Sequence, residues 1–134
     1  MADEATAAMT VLIVDDDLGF VWWLGDIFKE EGARCVPALS CGEATVHIKR
    51  LGIEPDMVIL NASLDGASKL VEHCIQTNRR LRIVTIGAPS KALGVSIQLH
   101  AIIERPSPSD PIFRGEWSEK LRKLLSHVEA ANAG

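Results

Sequence analysis

The sequence predicts an α/β domain with a doubly wound, five-stranded parallel sheet and helices on both faces. Three observations carry this. Short apolar runs alternate about five times with helix-period segments, the strand runs are too apolar to have a wet face, and three of them end abruptly in a polar residue or glycine. A chain of 134 residues with 47% hydrophobic and 24% charged residues has the material for one core and little for a second.

The first run is TVLIV at 10–14, β-branched and continuous, stopped by Asp15, Asp16 and Asp17. Residues 18–31 then place Phe20, Val21, Leu24, Ile27 and Phe28 on one helical side, with Asp17 suited to cap the start and Gly32 to end it. ARCVPA at 33–38 reads as a strand, and CGEATVHIKRL at 41–51 as a helix with Ala44, Ile48 and Leu51 sharing a face. DMVILN at 56–61 is the next buried strand; 67–76 is a helix with Leu70, Val71, Cys74 and Ile75 inward. LRIVTIG at 81–87 is a further strand of that type. A weak helical stretch near 90–98, the short run AII at 101–103 and the Pro/Ser-rich RPSPSDP at 105–111 follow. In the last helix, Trp117, Leu121, Leu124, Leu125 and Val128 recur at helical spacing. The expected domain is 10–130, with tails at 1–9 and 131–134.

The net charge of −4 and pI near 5.5 give no electrostatic basis for a nucleic-acid partner. The short basic run of Arg79, Arg80 and Arg82 reads as a solvated turn. Cys35, Cys41 and Cys74 are odd in number and lack ligand spacing, which points to a reducing compartment and not to disulfides or zinc. His47, His73, His100 and His127 are scattered, so no metal site is assigned to them. With no basic leader and no run long enough to span a bilayer, a cytoplasmic location without membrane attachment is expected. No nucleophile–base pair is identifiable by spacing, so no enzyme activity is expected. No G-x-G-x-x-G follows a strand, which disfavours a nucleotide-type ligand.

Ligands of parallel α/β sheets gather at the carboxyl ends of the strands. Those positions hold Asp15 and Asp16, Asn61, Gly87, and Arg105 followed by Pro106. VLIVDDD at 11–17, SCGEA at 40–44, PDMVILN at 55–61 and the basic residue before Pro106 together resemble a response-regulator receiver domain, a flavodoxin-like fold, over roughly residues 10–128. The resemblance implies an acid pair that helps hold Mg2+, a phosphoacceptor aspartate, a phosphoryl-contacting Ser or Thr, a charge-neutralising lysine, and a switch aromatic.

Carried over by position, the acid pair survives as Asp15 and Asp16. Asn61 stands in place of the acceptor, Gly87 in place of the hydroxyl, Arg105 in place of the lysine and Ile102 in place of the aromatic, with Pro106 the candidate for a cis peptide. The spacings from Asn61 to Gly87 and from Gly87 to Arg105 are each a few residues shorter than the resemblance implies. An amide is no substitute for a carboxylate nucleophile, and losing a carboxylate weakens a magnesium site.

The expectation is therefore a degenerate, pseudo-receiver module of a two-component phosphorelay that acts by phosphorylation-independent protein–protein contact. A phosphoaccepting regulator with an atypical site, or a small-ligand-binding domain, is the alternative. No cofactor is required, with weak Mg2+ binding left open, and Arg105 is the expected internal counter-ion of Asp15 and Asp16. Asp65 reads as chemistry of the helix start beside Gly66 and not as a substitute acceptor. The expected partner is a signalling protein, a histidine kinase or a downstream effector, with a homodimer left open. Trp22, nearly opposite the apolar stripe of the first helix, is the candidate contact residue.

Overall fold

A computed structural model describes residues 9–87, 100–104 and 119–123. The helical stretch near 90–98, Arg105, Pro106, Trp117 and both terminal tails lie outside the described residues. Five strands, β1 (Thr10–Val14), β2 (Arg34–Ala38), β3 (Met57–Leu60), β4 (Arg82–Ile86) and β5 (Ala101–Ile103), form one parallel sheet in the order β2-β1-β3-β4-β5. Helices α1 (Leu18–Glu30), α2 (Cys41–Leu51) and α3 (Ala67–Thr77) connect the first four strands.

Strand alternation divides the core in two. Leu12, Val14, Val58, Leu60 and Ile83 point to the face covered by α2 and α3. Val11, Ile13, Met57, Ile59, Val84, Ile86 and Ile103 point to the other face, where Phe20, Val21, Leu24, Ile27 and Phe28 of α1 pack together with Leu121 from the helical residues 119–123. A sheet covered on both faces needs apolar residues at every strand position, which is why β1 and β3 read as unbroken apolar runs. Pro37 is tolerated because β2 is an edge strand. Met9 is tied down ahead of β1, its carbonyl accepting from the Arg34 N–H at 2.7 Å.

Local chemistry sets the helix ends. Asp17 caps α1, its Oδ1 accepting from Phe20 N–H at 3.1 Å. Ser40 caps α2 through Glu43 N–H at 3.0 Å while Glu43 Oε1 accepts from Leu39 N–H at 3.2 Å, a capping-box arrangement that gives the S-C-G-E stretch a structural reason.

One expectation is corrected. Leu51 does not join the buried face of α2; it is 63% exposed. Gly52 turns the chain into the left-handed region at φ +60°, Ile53 N–H bonds back to Ile48 O at 3.3 Å, and Ile53 packs on the core in its stead. Beside Asp65, Gly66 holds the cap position of α3 at φ +83°, with no side-chain bond to the helix start.

Candidate functional site

Parallel register builds the site. Val14 of β1 is paired with Leu60 of β3, so the next residues, Asp15 and Asn61, leave the sheet side by side. Backbone bonds continue past the strand ends, from Asp15 N–H to Ala38 O at 3.1 Å and from Asn61 N–H to Val14 O at 2.9 Å, fixing both residues to the sheet. On the other side, Ile86 pairs with Ile103, and Gly87 N–H reaches Ile103 O at 2.6 Å, which brings Glu104 alongside Gly87. A cleft of about 340 Å³ lies between the two halves, lined among the described residues by Asn61, Ile86, Gly87 and Glu104.

The two acids differ. Asp15 is fully buried and Asp16 is exposed. Burying a carboxylate is costly without hydrogen-bond partners, and Asn61 supplies one: its Nδ2 donates to Asp15 Oδ1 at 3.0 Å. The amide oxygen on the opposite side accepts from Ser63 N–H at 3.0 Å and from Ser63 Oγ at 2.6 Å. Ser63 N–H can only donate, so it must face the amide oxygen, and the amide nitrogen must then face Asp15.

The sequence places Asp15, Asn61 and Gly87 correctly at one sheet edge. It missed Ser63, two residues past Asn61, where an Asx-turn pattern was the available signal, and it missed Glu104, recognisable only as the residue after β5. Arg105 lies outside the described residues, so the expected contact with the acid pair is not drawn. Ile102 pairs with Thr85 and is 50% exposed. Thr85, the nearest hydroxyl to Gly87 along β4, is no stand-in for the missing one: it is fully buried and donates to Gly87 O at 3.2 Å. Gly87 itself sits at φ +77°, with open space among the described residues where a Cβ would project.

The magnesium ion that the resemblance implies does not fit this donor set. Such an ion needs hard oxygen ligands, whereas Asn61 turns N–H toward Asp15 and its oxygen is held by Ser63. Among the described residues no three His, Cys, Asp or Glu side chains gather to hold a metal. Burial also disfavours the thiolate form of the cysteines. Burial pushes Cys35 up to about 11 against a smaller opposing effect of Lys29, and burial alone pushes Cys74 up to about 11. Cys41 is raised by burial and, less, by the Asp65 charge.

Trp22 projects from α1 with 60% of its surface exposed, one turn after Leu18, which is also exposed, and beside the exposed Asp26. Trp23, its neighbour, instead stacks on Phe20 with ring centres 6.3 Å apart. Among the described residues no helix is long and apolar enough to cross a membrane.

Solved structures of receiver domains share this backbone fold. The chain superposes on a CheY-like response regulator receiver domain from Methanospirillum hungatei with a TM-score of 0.68 at 19% identity, covering 92% of this chain and 98% of that one. A response regulator from Thermotoga maritima gives a TM-score of 0.64 at 16% identity, covering 89% and 98%. NtrX from Brucella abortus gives 0.68 at 20% identity, covering 94% of this chain and 29% of NtrX. The fold is the receiver fold. No protein-family model matches the sequence, and no curated protein matches it. The likeness lies in the course of the backbone.

Proposed function

We propose that this chain is a receiver-type signalling module of a two-component pathway that has lost phosphotransfer and acts by binding another signalling protein, a histidine kinase or a downstream effector, in the cytoplasm. The observation that carries the reading is Asn61, which stands at the end of β3 beside a buried acid and is engaged as a hydrogen-bonding amide. The lone pair of a carboxamide nitrogen is delocalised into the carbonyl, so Asn61 cannot form the acyl phosphate that a carboxylate forms. Gly87 has no hydroxyl to hold a phosphoryl oxygen, and Ile102 has no polar aromatic edge to move in response. A ligand shifts a conformational equilibrium only through differential contacts with its two states, and these contacts have been removed together. The module needs no cofactor and has no catalytic residue. Its contact surface includes Trp22 and Leu18 on α1, a rigid aromatic anchor of the kind that dominates binding energies.

The test has two arms. Intact mass after incubation with acetyl phosphate and magnesium is expected to show no acid-stable, base-labile phosphoryl adduct; a stoichiometric adduct overturns the reading. Affinity capture from the native host is expected to retain the same two-component protein with and without phosphodonor and to lose it with Trp22→Ala. Capture that depends on phosphodonor counts against the proposal.

A further inference from the structure

We infer that the Asn61 carboxamide takes the place of a cation in the acid pocket, so that the pocket is satisfied from within and closed to divalent metal. The inference rests on the reading of Asn61 as the altered acceptor position, and deepens it by saying what the amide does there.

A fully buried Asp15 carboxylate requires positive or proton-donating company. Asn61 Nδ2 brings a proton to Asp15 Oδ1 at 3.0 Å, on the side where the register places the two residues next to each other. A cation bridging Asp15 and Asn61 would need the amide oxygen turned inward. That rotation breaks the bond to Asp15 and both bonds from Ser63, and sets an N–H group against the Ser63 N–H. Ser63 is thus the positioning residue: it holds the oxygen outward, and so holds the nitrogen toward the acid. An aspartate at 61 inverts this arrangement, because two carboxylates side by side repel until a cation or a proton intervenes.

The site predicts a particular dependence on metal. The melting temperature of the wild-type chain is expected to be the same in a chelator and in millimolar magnesium, and calorimetric titration is expected to show no saturable heat. Asn61→Asp is expected to melt lower in chelator and to recover with magnesium. Asn61→Ala, which adds no charge, is expected to become magnesium-responsive to a smaller degree, and serves if the aspartate variant fails to fold. Ser63→Ala, with the hydroxyl gone and the backbone N–H retained, is expected to gain a weak response. Magnesium-dependent melting of the wild type, or no response in Asn61→Asp and Asn61→Ala, overturns the inference. These outcomes are separate from those of the phosphodonor assay: a wild-type chain that binds magnesium yet takes no phosphoryl group refutes this inference alone.

Discussion

The two halves of the sheet edge are built by different means. At the ends of β1 and β3, side chains close the site: Asp15 is buried, Asn61 bridges to it, and Ser63 fixes the bridge. At the ends of β4 and β5, backbone forms the site: Gly87 contributes no side chain, its N–H is tied to Ile103, and the cleft beside Glu104 stays open. The closed half rests on side-chain hydrogen bonds and the open half on the chain path, and both are held by a register set in the core.

The largest effect is expected where that closure is broken. Asn61→Leu keeps the branching and number of side-chain heavy atoms but removes the donor to Asp15, and the cost of leaving a buried polar group short of a partner is about 1–3 kcal/mol. Urea unfolding should show a lower midpoint at unchanged slope. A midpoint within error of wild type would mean that the bridge is incidental.

The open half should respond to backbone and not to partners. Among the described residues a Cβ at Gly87 meets nothing within 4 Å, so Gly87→Ala is expected to cost the left-handed conformation at φ +77°, about 1–2 kcal/mol. The same urea titration measures it. Because the two positions fail by unrelated mechanisms, the double variant is expected to show additive losses. Strong coupling would mean that the halves communicate and that the contrast between them is wrong.

The smallest effect belongs to an ion pair on the surface. Arg122 Nε lies 2.7 Å and Nη2 3.2 Å from the Glu31 carboxylate, joining the end of α1 to the helical residues 119–123. The hydrogen bond from Arg122 holds the Glu31 carboxyl below the usual carboxylate range; burial opposes it, and the Arg122 charge adds a smaller lowering effect. Since the folded-state value is the lower one, the contribution is present above the ordinary glutamate pKa and is lost as pH falls through the folded value. Glu31→Gln is therefore expected to lower the melting temperature slightly at neutral pH and not at all in acid below that value. Exposure and salt screen the pair, so the neutral-pH difference should shrink further in high salt. A loss as large as that of Asn61→Leu would remove the distinction drawn between buried and surface polar contacts.

Much of this was legible in the chain before any fold was in view. β1, β5 and α2 have the bounds that their apolar runs and periods mark, because burial on both faces or along one stripe writes itself locally into the sequence. The site positions Asp15, Asn61 and Gly87 were legible for the same reason, as the polar residues or glycine that stop such runs. Leu51 shows the limit: its spacing is right for the buried face, but whether anything covers a last helical turn depends on neighbours the period does not encode.

By itself, then, the sequence determined a five-stranded parallel sheet, the place of Asp15, Asn61 and Gly87 at its carboxyl edge, the absence of a carboxylate at 61 and the position of Trp22 opposite the apolar stripe of α1. Only the tertiary structure decided what Asn61 does. Its bond to Asp15 joins residues 46 positions apart and exists because β1 and β3 are neighbours in one register. The direction of its amide follows from Ser63 N–H, a backbone donor fixed by the turn. Glu104 comes to the cleft because β5 pairs with β4. Each of these depends on strand order and register, which arise from packing the whole core, and no local pattern of polar and apolar residues specifies them.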